Sequence, residues 1–508
     1  MNKKSLSKVS HVLAVLAVLG LAALIRLAYL NQFGYNSDEA VYAGQAAAIA
    51  QAPILKDIFP IFRAHPLLFQ FALALLFHFG VNDLQGRVFS ALIGIATVGL
   101  VYKIGGRLYS PRTGLIGALF FALMPYHVVV TRQVLLDGPM VFFATLSLFM
   151  LVRYADSGQS IWLIATGAGL GLTVLSKEIG IILVGSVYTF LALSPEVRTR
   201  IRDIVMSLAA TILVISPFPL SVMLAGGGGD RKTSQYLVWQ LFRRPNHTWD
   251  FYPTEVTPAI GFLVVIAALL GLWLLRRSNS WREKLLVSWI IVPVVFFQLW
   301  PTKGFQYLLP IAPAVALLAA RTLVFWPQQP VTVGKRNIAP FTIGLILTGL
   351  ICCSLFLTSW SMISPKEAVT FLAGTGGVPG GRETGSWIQT HVPEGSTFMT
   401  IGPSMANIIK FYGYRDAYGL SISPNPLHRN PSYSPVINPD YQIRMGDLQY
   451  LVWDSFSAGR SSFFSDKLMY YVEKYNGRVV YTQTVPVMTP EGKIAHKPVI
   501  IIYMVHPE

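Results

Sequence analysis

The chain has 508 residues, of which 53% are hydrophobic and only 13% are charged, with a mean hydropathy of +0.52. Soluble domains carry about 25% charged residues, so this composition excludes an ordinary soluble protein and indicates a polytopic membrane protein. The net charge of +16 does not indicate nucleic-acid binding, because lysine and arginine cluster in short segments between apolar runs.

Several apolar runs reach the roughly 20 residues needed to cross a bilayer. The first run has a basic start and no convincing cleavage site, so we expect an uncleaved anchor. The basic segments alternate along the chain, which predicts a cytoplasmic N-terminus and an extracytoplasmic C-terminal tail after eleven spans. These spans are predicted at 11–30, 86–106, 113–130, 137–153, 161–175, 178–194, 204–224, 258–275, 285–300, 306–325 and 339–360.

A long segment, about 31–85, lies between the first two spans and is predicted to be outside the membrane. It contains "GYNSDEAVYAGQ" at 34–45 and the apolar stretch "RAHPLLFQFALALLFHFG" at 63–80. The apolar stretch is short for a crossing and is bounded by Pro66 and Gly80. We therefore expect an interfacial helix there.

The adjacent carboxylates Asp38 and Glu39 have two interpretations. Asn36 or Ser37 can cap a helix that begins here, and the helix dipole favours acidic residues in its first turn. Alternatively, Asp38 shares a helix face with Tyr42, four residues on, whereas Asp38 and Glu39 point about 100° apart. In that case one carboxylate faces a reaction and the other orients it.

Further charged groups occur at the outward ends of predicted spans. Lys177 and Glu178 interrupt an apolar stretch of about 33 residues, where a charge at mid-membrane costs roughly 2.5–3.5 kcal/mol. Each cation alone is consistent with snorkelling at the interface. Together, a carboxylate that accepts a hydroxyl proton and cations that hold a departing lipid phosphate suit group transfer. The other members of this set are Arg63, His65, Arg132, Asp137 and Lys303.

The composition changes from Pro365 onward. The segment 363–381 contains "GTGGVPGG" and is predicted to be a linker. Beyond it, four strand-like and three helix-like runs predict a small soluble extracytoplasmic α/β domain at 382–508, with a long loop at 421–440. The predicted fold class is thus a polytopic α-helical membrane domain, residues 1–362, followed by this domain. Cys352 and Cys353 are adjacent in an apolar run, so no disulfide framework is expected.

The order of these motifs resembles the GT-C superfamily of membrane glycosyltransferases, in the branch with protein O-mannosyltransferases and the lipid A aminoarabinose transferase. Each motif alone is weak, but their order and spacing are fairly specific, and they cover the spans from residue 1 to about 325. The C-terminal domain looks more like the bacterial aminoarabinose-transferase layout. The matching motifs are Asp-Glu-x-x-Tyr at 38–42, "HPLLFQ" at 65–70, "TRQVLLDGPMVFF" at 131–143, "SKEIG" at 176–180 and "YLLPIAPAVALLAA" at 307–320.

The resemblance implies an inverting sugar transfer from a polyprenyl-phosphate donor on the outer face of the plasma membrane. It implies that Asp38 is the general base with Glu39 in support, and it favours a reaction without a metal or other cofactor. A metal stays an open alternative, since Asp38, Glu39, Asp137, His65 and Glu178 offer oxygen and nitrogen ligands. Leu67 replaces the second proline of the family's Pro-Pro, and His65 replaces the commoner lysine. The implied substrate-binding residues are Tyr42, Arg63, His65, Arg132, Asp137, Lys177, Lys303 and Tyr307. Among them, Arg132 and Asp137 match an Arg and Asp pair of the mannosyltransferase branch that the resemblance implies to structure the site.

The acceptor stays open at this stage: its hydroxyl belongs to a protein, a lipid or a polysaccharide. One alternative is a protein O-mannosyltransferase that acts on secreted serine or threonine. A second, non-enzymatic alternative is a transporter or flippase of lipid-linked sugars, although neither repeated halves nor broken helices are evident in the sequence. The outer loop 225–256, with its basic and aromatic residues, is either a sugar or lipid contact or a solvated interfacial loop.

Overall fold

The computed structural model describes residues 3–59, 61, 65–224, 235–236, 238–240, 243, 245–275, 280–326, 331–333, 336–364, 378–431, 433–488 and 491–505. Helices form most of the described part up to residue 364. They are α1 (Lys3–Leu27), α2 (Ser37–Ile49), α3 (Leu55–Ile58), α4 (Leu68–Phe77), α5 (Asp83–Leu108), α6 (Pro111–Leu123), α7 (Pro125–Thr131), α8 (Asp137–Ser157), α9 (Ser160–Ser176), α10 (Ile182–Leu193), α11 (Ile201–Ile215), α12 (Pro217–Leu224), α13 (Thr257–Ile260), α14 (Phe262–Leu275), α15 (Trp281–Leu299), α16 (Ala312–Phe325) and α17 (Pro340–Ile363).

All eleven predicted spans coincide with helical segments, and the predicted membrane-helix fold is confirmed. By length and composition, six helical segments of the described chain can cross a membrane, or up to eight if each bent pair is one span. Helices α9 and α10 are apolar but shorter. The predicted number of eleven spans therefore stays a prediction. The stretch 63–80 contains only the ten-residue helix α4, in keeping with the expectation that it does not cross.

Two of the predicted spans are broken rather than straight. The run 113–130 bends by 60° between α6 and α7, where Pro125 begins the second helix and Met124 is extended. Proline fits the first turn of a helix but cannot continue a preceding one, so the chain turns at this point. The run 258–275 bends by 94° at Gly261, whose φ of +103° is rarely adopted by other residues.

The C-terminal region is an α/β unit with a five-stranded sheet in the order β4-β3-β5-β7-β6. Strands β3, β4 and β5 are parallel, whereas β7 is antiparallel to both β5 and β6. A separate short hairpin, β1 (Val331–Val333) with β2 (Arg336–Ile338), precedes α17. The strands of the sheet are β3 (Thr397–Thr400), β4 (Asp416–Gly419), β5 (Tyr450–Asp454), β6 (Arg478–Met488) and β7 (Ile494–Met504), and the helices are α18 (Gly381–His391), α19 (Pro403–Ile408), α20 (Pro439–Arg444), α21 (Ser455–Arg460) and α22 (Ser462–Lys474).

The four predicted strands and three predicted helices of this region are all present. The predicted helix at 404–413 is α19 followed by a turn of π-helix, Ile409–Gly413. The edge strand β4 was not predicted. Residues 365–377, most of the predicted linker, lie outside the described residues, and the predicted domain boundaries stay a prediction.

The α/β unit packs directly on the segment that precedes α2. The Tyr412 hydroxyl accepts a hydrogen bond from the Tyr35 amide (2.8 Å) and donates one to Asp83 at the start of α5 (2.7 Å). Arg382 forms an ion pair with the same Asp83 carboxylate at 2.7 Å. The Phe411 ring lies 5.0 Å from that of Tyr35 and joins the apolar cluster of α2 and α4. These contacts hold the α/β unit against the N-terminal end of α2.

Candidate active site

A cavity of about 1140 Å³ lies between the helical part of the chain and the α/β unit. Both parts contribute lining residues. Those that bear on the chemistry are Asp38, Tyr42, His65, Asp137, Lys177, Glu178, Tyr236, Trp239, Arg243, Lys303 and Tyr307 from the helical part, and Asn407, Lys410, Tyr418 and Tyr433 from the α/β unit.

Helix α2 brings Asp38 to this cavity because its N-terminus is fixed by a capping box. The Asn36 side chain accepts a hydrogen bond from the Glu39 amide (2.9 Å), and the Glu39 carboxylate accepts one from the Asn36 amide (3.0 Å). Such reciprocal bonds satisfy two otherwise free amides of the first turn. The capping interpretation is therefore correct for Glu39. Asp38, one residue earlier, takes no part in the box and faces the cavity with Tyr42.

Glu39 lies on the other side of α2 and does not line the cavity. Its carboxylate is fully buried and receives two hydrogen bonds from Arg87 on α5, at 2.6 and 2.8 Å. A further bond comes from the Val134 amide at 3.1 Å. Glu39 therefore does not face the cavity, and the role in support of Asp38 that the resemblance implies stays a prediction. In the structure, Glu39 attaches α2 to α5.

The Asp38 carboxylate is accessible from the cavity but enclosed by the surrounding protein. Burial raises the pKa of Asp38 above its ordinary value, and the charge of Asp137 adds to this effect, whereas Lys177 and His65 oppose it. A general base works best when its pKa lies near the operating pH, so a raised value suits proton abstraction.

Two paired side-chain contacts, one of them an ion pair, line the cavity near Asp38. The Lys177 ammonium donates to both oxygens of Asp137, at 2.8 and 2.9 Å, and lies 5.6 Å from the centre of the Tyr307 ring. The predicted residues Asp137, Lys177 and Tyr307 therefore come together, although they belong to three separate helix ends. Lysine paired in this way keeps its positive charge and stays in a fixed position.

The second pair joins His65 to Glu178 through His65 Nδ1 and a carboxylate oxygen, 2.9 Å apart. The other ring nitrogen, Nε2, lies 3.1 Å from the hydroxyl of Tyr236, which in turn accepts a bond from Gln240 (2.6 Å). The carboxylate orients the imidazole, as such partners commonly do. The Tyr42 ring lies edge-on to His65, with centres 6.4 Å apart.

Lys303 lines the cavity, but its ammonium is already engaged. It donates to the backbone carbonyls of Gln298 (2.9 Å) and Trp300 (3.5 Å) at the C-terminal end of α15. Its backbone is held by Asn246, whose side chain both accepts from the Lys303 amide and donates to its carbonyl, each at 2.8 Å. A cation is favourable at the C-terminus of a helix, so Lys303 has a structural role in stabilising the end of α15.

Arg132 and Arg63 complete the predicted set. Arg132 does not line the cavity; its guanidinium donates to the carbonyls of Ile25 (2.9 Å), Arg26 (2.9 Å) and Ala28 (2.7 Å), at the end of α1. It therefore caps α1, and its position does not support the predicted substrate contact. Arg63 lies outside the described residues.

The sequence analysis missed several residues of the cavity wall. Arg243, Tyr236 and Trp239 come from the outer loop 225–256, whose basic and aromatic content was the signal. The Arg243 guanidinium lies over the Trp239 ring, 4.6 Å from its centre, and makes a long 3.4 Å bond to Gln240. The residues from the α/β unit carried no recognisable motif.

Among the described residues, no group of three or more His, Cys, Asp and Glu side chains is arranged to hold a metal ion. Two acidic residues of the cavity wall have side-chain partners: Asp137 pairs with Lys177, and Glu178 contacts His65. The expectation that no cofactor is needed stays a prediction.

Solved structures match the whole described arrangement. The transferase ArnT from Cupriavidus metallidurans, solved both without ligand and bound to undecaprenyl phosphate, superposes with a TM-score of 0.69 over 96% of this chain and 97% of its own, at 13% identity. The oligosaccharyltransferase of Archaeoglobus fulgidus superposes with a TM-score of 0.61 over 95% of this chain and 74% of its own, at 13% identity. The chain is a multi-pass membrane protein with the GT-C fold.

Sequence relatives agree with this GT-C fold. The model of the dolichyl-phosphate-mannose-protein mannosyltransferase family matches residues 64–222, which contain His65, Asp137 and Lys177. The undecaprenyl phosphate-α-4-amino-4-deoxy-L-arabinose arabinosyl transferase 1 of Pseudomonas fluorescens is 27% identical over 303 residues, 56% of this chain and 54% of the relative. The dolichyl-phosphate-mannose–protein mannosyltransferase 1 of Saccharomyces cerevisiae is 34% identical over 104 residues, which are 19% of this chain and 12% of the relative. The chain thus spans about half the length of the first of these curated relatives.

Proposed function

We propose that this GT-C protein is a glycosyltransferase that moves a sugar from a polyprenyl-phosphate donor to an acceptor hydroxyl. We place the reaction on the outer face of the plasma membrane, with the N-terminus in the cytoplasm and the α/β unit outside. The observation that carries the proposal is the position of Asp38 in one cavity with Lys177, His65 and Arg243. A base and several cations in one enclosed site suit the transfer of a group that leaves with a phosphate.

In the proposed reaction, Asp38 accepts the proton of the acceptor hydroxyl. The acceptor oxygen forms a bond to the anomeric carbon of the sugar, and the bond from that carbon to the phosphate oxygen breaks. The electron pair of this bond remains on the polyprenyl phosphate. Because the acceptor attacks from the side opposite to the departing phosphate, one displacement inverts the anomeric configuration.

The cations of the cavity differ in their freedom to meet that phosphate. Lys177 is held by Asp137 and Lys303 by backbone carbonyls, whereas the contacts of Arg243 with other described residues are a long bond to Gln240 and its aromatic contact. A guanidinium can donate two parallel hydrogen bonds to a phosphate. We therefore assign the main phosphate contact to Arg243, with the charge of Lys177 in support.

The relatives support the donor class in this proposal. The P. fluorescens relative is named for an undecaprenyl-phosphate sugar, and the yeast relative for dolichyl-phosphate mannose. Of these two names, the yeast name alone states an acceptor, which is a protein. The match of 64–222 to the protein mannosyltransferase family keeps protein O-mannosylation as the second candidate.

The test uses the purified full chain in detergent with two radiolabelled donors, undecaprenyl phosphate-linked 4-amino-4-deoxy-L-arabinose and undecaprenyl phosphate-linked mannose. Envelopes from cells that lack this protein supply the acceptors, and the label is followed into lipid, polysaccharide and protein fractions. We expect Asp38→Asn to lower transfer by about 10²–10⁴-fold, the usual contribution of a general base, with undecaprenyl phosphate binding retained. Asp447→Asn, an exposed carboxylate of the α/β unit, is the matched control.

Full turnover by the Asp38→Asn protein would show that Asp38 is not the general base. Intact lipid-linked sugar that moves across liposome membranes, with no label released onto an acceptor, would instead establish the transporter alternative. Label in proteins rather than in lipid or polysaccharide would establish the protein O-glycosyltransferase.

A further inference from the structure

The α/β unit lines the cavity with its edge strand β4 and with residues that follow β3 and β4. Gly419 at the end of β4 and Pro403, which follows β3, both line the cavity. In open α/β sheets, ligands bind outside the carboxyl ends of the strands. Part of the usual ligand-binding edge of this sheet therefore lines the same cavity as Asp38.

Two polar side chains of this edge reach the start of α2. The Asn407 side chain donates a hydrogen bond to the hydroxyl of Ser37, the residue before Asp38, at 3.0 Å. Tyr433, from the long loop 421–440, lines the cavity and interacts with both Asn407 and Asp38. Burial raises the pKa of Tyr433 to about 12, so its hydroxyl keeps its proton and can donate it in a hydrogen bond.

This edge differs in chemistry from the opposite wall. The opposite wall carries Lys177, His65 and Arg243, the groups suited to a phosphate. The edge of the α/β unit carries an amide and phenols, together with Lys410, whose ammonium lies 5.1 Å from the centre of the Tyr418 ring. Amide and phenol groups recognise hydroxyl groups, and aromatic rings can pack against a sugar or an aliphatic surface.

The geometry of an inverting reaction assigns the acceptor and the departing phosphate to different walls of the cavity. In an inverting displacement the acceptor and the leaving group lie on opposite sides of the anomeric carbon. Lys177, His65 and Arg243 belong to the wall formed by the helical part of the chain, and Tyr433 belongs to the wall formed by the α/β unit. If the phosphate occupies the cationic wall, the hydroxyl that Asp38 deprotonates approaches from the side of the α/β unit.

We propose that the carboxyl edge of the sheet is the acceptor subsite and that Tyr433 and Asn407 hold the acceptor's hydroxyl-bearing group beside Asp38. This inference rests on the proposed function and adds to it the part of the chain that selects the acceptor. The contacts of Tyr412 and Arg382 with the segment before α2 hold this subsite in a fixed position relative to Asp38.

The test is Tyr433→Phe in the full chain, which removes one hydroxyl and keeps the ring. Transfer is measured against a dilution series of the same envelope acceptors, with hydrolysis of the labelled donor followed in parallel. The loss of one hydrogen bond predicts about a tenfold rise in the half-saturating acceptor amount. It also predicts a fall in the ratio of transfer to hydrolysis and an unchanged Kd for undecaprenyl phosphate. Tyr441→Phe, an exposed tyrosine of the same unit, should change none of these quantities.

A second variant, Ser37→Ala, separates acceptor binding from an effect on the base. It removes the partner of Asn407 on α2 but leaves both residues of the proposed subsite. An unchanged acceptor requirement in Tyr433→Phe would overturn the inference. An equal rise of the half-saturating acceptor amount in Ser37→Ala and in Tyr433→Phe would also overturn it. Tyr433 and Asn407 would then act by positioning α2 and not by holding the acceptor. In either case the proposed function stands as long as Asp38→Asn is inactive; if the unmodified chain turns over neither donor, both fail.

Discussion

The buried pair of Glu39 and Arg87 provides the sharpest test of how the site is assembled. The substitution Glu39→Gln removes the negative charge but keeps the size of the side chain. Glutamine also serves in capping boxes, so the end of α2 can still be capped. The main consequence is a buried arginine without its counter-charge, since Arg87 is 4% exposed and Glu39 is fully buried.

The size of the effect follows from the contacts that change. Each Glu39 oxygen accepts two bonds: Oε1 from Arg87 and Val134, Oε2 from Arg87 and Asn36. In glutamine one of these oxygens becomes an NH₂ group that faces two donors, so two bonds are lost. Removal of one partner of a buried ion pair costs about 3–5 kcal/mol. Arg87 keeps its bonds to three backbone carbonyls, which limits the loss.

The assay is thermal unfolding of the purified protein in detergent, followed by intrinsic fluorescence, with Asp38→Asn as the matched carboxylate variant on the same helix. We expect Glu39→Gln to unfold several degrees below the unmodified protein and Asp38→Asn to unfold at an unchanged temperature. An inactive Glu39→Gln protein with unchanged unfolding would refute this reasoning. It would show that Glu39 acts in the reaction, as its place beside Asp38 in the sequence first predicted.

The remaining predictions concern pH. The pKa of Asp38 is raised, and only its deprotonated form accepts a proton. Transfer should therefore fall on the acid side with a midpoint above the ordinary 3.8 of aspartate, and Asp38→Asn should lack that acid limb; a midpoint at or below 3.8 in a rate–pH profile would contradict the assignment. In the α/β unit, burial raises the pKa of Asp454 to about 6, so the folded state binds this proton more tightly than the unfolded state. The carboxylate then lowers stability as pH rises from about 4 to 6, by up to about 3 kcal/mol at pH 7. Asp454→Asn, which keeps the bond from the Ser457 amide, should raise the unfolding temperature at pH 7 and change it little at pH 4; an equal effect at both would refute the charge argument.

Much of the cavity was predictable because its residues interrupt apolar runs. Asp137, Lys177 and Tyr307 are polar groups at helix ends, and a charge there needs either a partner or a function. The structure supplies the partner, since Lys177 and Asp137 pair at the cavity wall. The same reasoning could not distinguish a cavity residue from a helix cap. Arg132 and Lys303 have the same sequence signal, but their donors are taken up by backbone carbonyls at the ends of α1 and α15.

The contribution of the α/β unit was beyond this kind of reasoning. Asn407 and Tyr433 lie about 370 and 395 residues after Asp38, and nothing in their local pattern refers to α2. The strand β4 has only four residues, Asp416–Gly419, too few for an alternating pattern to be recognised. Its parallel pairing with β3 nevertheless sets which edge of the sheet faces the cavity. Such long-range pairing is a property of the tertiary fold.

Helix α2 carries two adjacent acidic residues with different roles: Asp38 lines the cavity, and Glu39 pairs with Arg87. A turn of 100° per residue guarantees that Asp38 and Glu39 face different surroundings, but not which of them faces the cavity. The ion pair with Arg87 holds Glu39 inside the protein, and Asp38 therefore faces the cavity that Lys177 and Tyr433 also line. The proposed base, Asp38, is thus positioned by the ion pair of Glu39 with Arg87 and by the bond between Asn407 and Ser37. In this proposal the membrane helices and the α/β unit together form one active site.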